Sequence, residues 1–188
     1  MNKPKTLLII GPTAVGKSTL LGRALKDYPI LCDIITYTTR NPREGEVEGD
    51  PYHFVTEAKF RDLMKDNFFI ETAFVHGLLY GTPRDQFEKA HRDGKVVIMD
   101  IDVQGAKKLL QIYPEAFTVF IVPPTMDALR QRFMKRGVTN EGDLEKRLVS
   151  AQKEMAQAKD FDHTITNDVF DTAYADLRKV IENLLKNQ

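Results

Sequence analysis

The sequence holds a single cysteine, no tryptophan and only four histidines among its 188 residues. One thiol cannot form an intramolecular disulfide, and without a Cys/His cluster there is no pattern for a structural zinc site. Such cysteine usage suits a reducing compartment. Net charge is also missing, since 27 Lys and Arg balance 27 Asp and Glu. No overall basic field draws the chain to nucleic acid or to a membrane surface, so any anion site must be local. No apolar run approaches the roughly 20 residues that span a bilayer. The first apolar run, "TLLII" (6–10), stops at Gly11-Pro12 and no signal-peptide cleavage pattern follows it, so the cytoplasm is the expected compartment. His53, His76, His91 and His163 lack metal-ligand spacing and read as structural or surface groups.

What is present describes a globular chain. Hydrophobic residues make up 42% and charged residues 29%, and the length suits one domain with insertions. "TLLII" and "KVVIMDID" (95–102) are short, continuously apolar runs, as in parallel strands buried on both faces. Further strands are expected at 31–37, 52–55, 68–75, 117–122 and 163–167. Helices are expected at 17–27, 56–66, 83–92, 103–111, 126–136, 141–159 and 170–186. This order predicts an α/β fold with a doubly wound parallel core. The stretch 33–93 lacks long apolar strands and reads as an inserted α+β region. The remaining divisions are a core of 1–32, 94–125 and 151–188 and a charged helical lid at 126–150.

"GPTAVGKS" (11–18) fits the phosphate-binding pattern G-x-x-x-x-G-K-[ST] between a strand and a helix. Gly11 and Gly16 let main-chain N–H groups converge on phosphate oxygens, with Thr13, Ala14 and Val15 between them and Thr19 just beyond. The helix N-terminus favours the same anion. Lys17 would reach the outer phosphates, and the Ser18 hydroxyl would bind Mg²⁺. Asp100, at the carboxyl end of a buried strand, is placed to share that ion. A turn or capping acid is the plainer reading of Asp100, and more so of Asp102, which precedes a helix. ATP with Mg²⁺ is the expected donor. Arg40 and Arg43, three apart in "TTRNPREGE" (38–46), make a fork for a second phosphate, with Tyr52 and Tyr80 as hydroxyl donors. Spacing alone leaves them equally readable as solvated arginines and half-buried tyrosines.

Ten ordered blocks carry a resemblance along nearly the whole chain: "GPTAVGKSTL", "TTRNPREGE", "YHFV", "FIE", "YGTP", "MDIDVQG", "FIVPP", "RFMKRG", "KRLVSAQ" and "TND". Together they resemble the guanylate kinase family. The resemblance implies a P-loop nucleoside monophosphate kinase that makes GDP from GMP at the expense of ATP, acting on small molecules as a monomer or homodimer. It implies that Arg40, Arg43, Tyr52 and Tyr80 hold the GMP phosphate, and that Thr36, Glu71, Thr82 and Asp102 surround guanine. It also implies that Arg132, Arg136 and Arg147 close over the triphosphate, and that Asn167 sits by the ATP base. Arg130 reads as a solvated helix residue. The chemistry is coherent: a carboxylate accepts from guanine N1–H and N2–H₂ together, and hydroxyls donate to O6.

The chain departs from the family pattern at Thr36, Pro51, Thr72 and Leu78, and "PTA" stands where "PSG" is usual. Two other classes bear weighing. A guanylate-kinase-like scaffold module tends to lose parts of the cradle or clamp, yet Lys17, Ser18, Arg40, Arg43 and Asp100 are all present. A tRNA prenyltransferase shares "GPTAVGK" but carries an Asp-Ser-x-Gln stretch that is absent here.

Overall fold

The computed structural model describes residues 5–186. Five parallel strands form the core sheet: β1 (Thr6–Ile10), β2 (Leu31–Cys32), β8 (Val96–Ile101), β9 (Phe117–Val122) and β10 (His163–Thr166), in the spatial order β10-β9-β1-β8-β2. Between β2 and β8 the chain builds a second sheet from β3 (Tyr37–Thr38), β4 (Val47–Glu48), β5 (Pro51–Phe54), β6 (Phe69–Val75) and β7 (Leu78–Pro83), ordered β4-β5-β3-β7-β6. The helices are α1 (Lys17–Asp27), α2 (Glu57–Lys65), α3 (Arg84–Arg92), α4 (Val103–Ile112), α5 (Met126–Lys135), α6 (Glu141–Met155) and α7 (Phe170–Lys186).

The continuous apolar runs are explained by helices on both faces of the core sheet. Leu7, Ile9, Ile98, Val119 and Ile121 pack with α1, α6 and α7 through Leu20, Ala24, Leu148, Leu177 and Ile181. The alternate residues Leu8, Ile10, Val97, Met99 and Phe120 pack with α3 and α4 through Phe87, Ala90, Ala106 and Leu109. With side chains alternating across a strand, both sets must be apolar. α5 and α6 are separated by Gly137 at φ +84° and restarted by Asn140, whose Oδ1 accepts from Asp143 N at 3.0 Å. Among the described residues no helix is long and apolar enough to cross a membrane.

Three expectations need correction. The run 31–37 is two short strands in two different sheets, not one. Between them Asp33 Oδ1 accepts from Ile34 N at 2.8 Å and Gln86 Oε1 accepts from Ile35 N at 2.9 Å. Side chains thus satisfy main-chain donors that a strand would have paired. Residues 78–83 form an unforeseen strand. Its Gly and Pro read as turn residues, yet Gly81 lies where an added Cβ would fall 2.8 Å from the Phe69 ring and 2.9 Å from the Phe60 ring. Finally, α6 stops at Met155 and a 3₁₀ turn follows at Ala158–Asp160.

Phe60, fully buried, stacks on Phe69 at 4.6 Å and joins α2 to the second sheet. Truncation there removes about 3–5 kcal/mol of packing. Phe60→Ala should lower the stability measured by urea unfolding by that amount, without touching any group that lines the cleft.

Candidate active site

One cleft of about 360 Å³ lies at the carboxyl ends of β1 and β8, between the core sheet, the second sheet and the α5–α6 region. It is lined by Thr13, Ala14, Gly16, Lys17 and Ser18 on one side and by Thr36, Arg40, Arg43, Tyr52, Tyr80, Glu71 and Thr82 on the other. Asp100 and Asp102 form part of its floor, and Arg136 and Arg147 reach it from beyond α5 and from α6.

The cradle follows from β1 and α1. Gly11 at φ +141° and Gly16 at φ +99° turn the chain, and neither position admits a side chain. A Cβ at Gly11 would lie 2.4 Å from Ile121 O, and one at Gly16 would lie 2.3 Å from Asn167 Nδ2. Lys17 Nζ donates to Gly11 O at 2.6 Å and Pro12 O at 3.0 Å, folded over its own loop. Burial lowers its pKa, opposed by Asp100, then Glu154 and Asp102. Ser18 donates to Asp100 Oδ2 at 2.8 Å. A hydroxyl and a carboxylate oxygen side by side are hard donors suited to Mg²⁺, which keeps several waters and takes its other oxygens from phosphate. No group of three or more His, Cys, Asp or Glu side chains converges on a metal position among the described residues.

The acceptor wall belongs to the second sheet. In β6 and β7, Glu71 faces Thr82, Ala73 faces Tyr80 and Val75 faces Leu78. Thr82 Oγ1 donates to Glu71 Oε1 at 2.6 Å, whereas the buried Oε2 has no hydrogen-bond partner. Such an orphan acceptor costs about 1–3 kcal/mol, more when charged, and is the kind of group a ligand satisfies. Burial pushes the Glu71 pKa up to about 7; the Thr82 hydrogen bond opposes this and Asp102 adds to it. Gly105, to which no role was assigned from sequence, keeps this space open: its Cβ would lie 3.1 Å from Glu71 Oε2. Asp102 caps α4, with Oδ1 accepting from Gln104 N at 2.8 Å and Gly105 N at 3.2 Å, and it lines the cleft as well.

At the other end of the wall, Arg40 Nη2 donates to Glu46, 2.9 Å from Oε2, and the guanidinium lies over the Tyr52 ring at 5.3 Å. Glu46 also accepts from Arg43 N at 2.8 Å. Sequence reasoning missed Glu46, which holds the arginine loop in shape; three residues past Arg43, its charge was the only signal. Tyr52 lies 6.0 Å from Tyr80, ring to ring. Burial, then Asp100 and Tyr80, raise the Tyr52 pKa and keep it a neutral donor. Partial desolvation and then Arg43 lower the Arg136 pKa, against Tyr52 and Asp100. Two guanidinium groups from opposite walls therefore share one region of the cleft.

Other sequence-selected residues lie behind the cradle. Arg132 donates to Val15 O at 3.2 Å and Asn167 O at 2.7 Å, and Asn167 Nδ2 donates to Val15 O at 2.7 Å. These groups brace the loop, and Gly11, Val15 and Thr19 do not line the cleft. Arg130 is not simply solvated, because it pairs with Glu141 at 2.7 Å and with Glu145, tying α5 to α6. Of the departures from pattern, Pro51 and Leu78 line the cleft, as does His76. Thr72 offers its carbonyl to Lys108 of α4. Ala14 stands at φ +71°, a backbone better suited to glycine.

A phosphate cradle facing a second cationic site across one cleft, on a parallel α/β core, defines a P-loop kinase of the nucleoside monophosphate class. The comparisons agree. The family model described as "Guanylate kinase" matches residues 3–184. Guanylate kinase of Bdellovibrio bacteriovorus is 41% identical over 183 residues, covering 97% of this chain and 99% of that protein. Guanylate kinase of Corynebacterium jeikeium is 37% identical, covering 96% and 97%. The crystal structure of guanylate kinase from Anaplasma phagocytophilum superposes with a TM-score of 0.78 at 27% identity, covering 97% and 87%. Shikimate kinase from Bacteroides thetaiotaomicron, at 11% identity and a TM-score of 0.52 with 95% and 98% covered, shares the fold alone. The chain belongs to the guanylate kinase family.

A carboxyl whose folded pKa is raised from 4.5 to about 7 costs nothing while protonated in both states. Its ionised form opposes folding increasingly up to that value, by about 3 kcal/mol in full. Glu71→Gln should therefore raise the melting temperature of the ligand-free protein at pH 8 by several degrees and leave it nearly unchanged at pH 4.5, as read by calorimetry.

Proposed function

We propose that the protein transfers the terminal phosphoryl group of ATP to GMP, giving ADP and GDP. The observation that carries this reading is the buried, unpartnered Glu71 Oε2 in the same cleft as the Lys17 loop. Guanine presents two adjacent donors, N1–H and N2–H₂, to such a carboxylate. Adenine would present the N1 acceptor and no N2 amino group, so the carboxylate would have to take up a proton and would lose one of the two hydrogen bonds that guanine supplies. Asp102, through the oxygen its helix cap leaves free, would take a further N2 proton. Thr82, already donating to Glu71, and Thr36 would lie along the same base edge.

Arg40, Arg43, Tyr52 and Tyr80 would then hold the acceptor phosphate, and the cradle the donor phosphates. Ser18 and Asp100 would hold Mg²⁺, which when bound neutralises charge across the phosphates. Lys17 would exchange its two carbonyl partners for phosphate oxygens. Arg136 and Arg147 would place positive charge where the transferring group spreads its negative charge, an effect worth roughly 10³-fold or more. Arg132 would contribute through Val15 and Asn167, by fixing the loop. Asn167 would sit by the ATP base, its side chain bonded to Val15 of the loop. No general base is needed, because the attacking phosphate oxygen is already anionic at neutral pH. We take 33–93 as the acceptor-side body and 126–150 as the lid, which would approach each other when both substrates bind and exclude water. The balanced charge and the absence of a membrane-spanning helix among the described residues support a cytoplasmic protein acting on small molecules.

A coupled ADP-release assay with GMP, dGMP, AMP, CMP and UMP tests the assignment. GMP should turn over fastest, and AMP outpacing it would reject the role given to Glu71. Lys17→Ala should lower kcat by about 10²-fold or more with a smaller change in the KM for GMP. The affinity for GMP should fall as pH drops below about 7, by up to about tenfold per pH unit, because the acceptor carboxylate takes up a proton. That component should vanish in Glu71→Gln, which separates it from titration of the GMP phosphate itself.

A further inference from the structure

The tip of the β6–β7 hairpin carries a group the reaction scheme above does not use. The two-residue connection is His76-Gly77, with φ of +50° and +84°. Two positive φ values in a two-residue loop mark a type I′ turn, whose first position favours Asn, Asp or Gly. Histidine is less usual than these in that turn position, although with Asn and Asp it is among the side chains enriched at positive φ.

The imidazole lines the cleft and donates or accepts no hydrogen bond among the described residues. It follows directly on the Val75–Leu78 pair at the end of the hairpin, and Val75, His76 and Leu78 all line the cleft. The charged groups acting on it from opposing elements are Arg147 of α6 and Asp102 at the start of α4. The residue thus lines the cleft from the turn, with Arg147 of α6 and Asp102 of the cleft floor acting on it. His76 is exposed, yet partial desolvation and then Arg147 lower its pKa, so that it is neutral near pH 7 and offers one donor and one acceptor nitrogen.

We propose that His76 is a further binding residue of the acceptor site, its imidazole covering the mouth of the pocket and hydrogen-bonding the nucleoside part of the monophosphate. The inference rests on the acceptor reading given above. A neutral ring with one donor, one acceptor and an apolar face matches a sugar, which shows hydroxyls on one side and C–H groups on the other.

The left-handed backbone makes the test selective. His76→Asn and His76→Gly both suit the turn, so a residue serving only the fold would lose nothing, and Asn should hold or raise the melting temperature. Isothermal titration of the full chain with GMP, and separately with Mg²⁺-ATP, gives the readout. The expected result is GMP affinity weakened about threefold to tenfold in His76→Gly and less in His76→Asn. Melting temperatures should be equal or higher, and ATP affinity unchanged. GMP affinity within twofold of wild type in both variants would overturn the proposal, as would parallel losses of ATP affinity and melting temperature. Failure of the wild-type protein to bind GMP would instead reject the acceptor reading, and this inference with it.

Discussion

The register of one strand pair determines where the chemistry falls. β1 and β8 run parallel with Ile9 opposite Asp100 and Ile10 opposite Ile101. Because successive side chains alternate in direction, a slip by one residue would turn Asp100 to the other face of the sheet. The same slip would exchange the two sets of core residues that α1 and α4 cover. Packing on both faces therefore enforces the register, and the register brings the Asp100 carboxylate within 2.8 Å of the Ser18 hydroxyl. An interaction between residues 82 apart in sequence is secured by the hydrophobic core and not by its own modest strength.

The acceptor side is organised differently. Its interior is aromatic, with Tyr37, Phe60, Phe68 and Phe69 packed ring to ring. That cluster carries a hairpin whose cleft face combines a buried carboxylate, a tyrosine and a threonine. The arginine loop beside it is shaped by Glu46, which pairs with Arg40 and receives the Arg43 N–H. Arg43 is left exposed, and the guanidinium of Arg136 across the cleft is disfavoured by its presence. Like charges held near one another, and an orphan oxygen at the far end, leave the ligand-free cleft electrostatically unfinished.

Much of this was legible in the sequence because the signals are local. The cradle motif spans eight residues between an apolar run and a helix, and the two buried strands announce themselves by composition. On the other wall, Arg40 and Arg43 with Tyr52 and Tyr80 suggested a phosphate fork by residue type, whereas Thr36, Glu71 and Thr82 were singled out only through resemblance, since they come from separate elements and no spacing rule joins them. What sequence could not show depended on close approach. β7 was hidden because Gly81 reads as a breaker until the Phe60 and Phe69 rings are in place. The bonds from Arg132 and Asn167 to the loop itself were likewise invisible, because they join residues far apart in sequence. Gly105 and Glu46 carry no signal of their own until the chain is folded around them.

The resting position of Lys17 has a consequence for the ligand-free protein. Its ammonium group bonds the carbonyls of Gly11 and Pro12, so the loop is pinned by a side chain from its own sequence. If the cradle takes phosphate as proposed, this cation trades two carbonyls for a polyanion. Mutation of the lysine then removes the pin together with the phosphate contact. A crippled variant would therefore differ in the shape of its empty loop as well as in its rate.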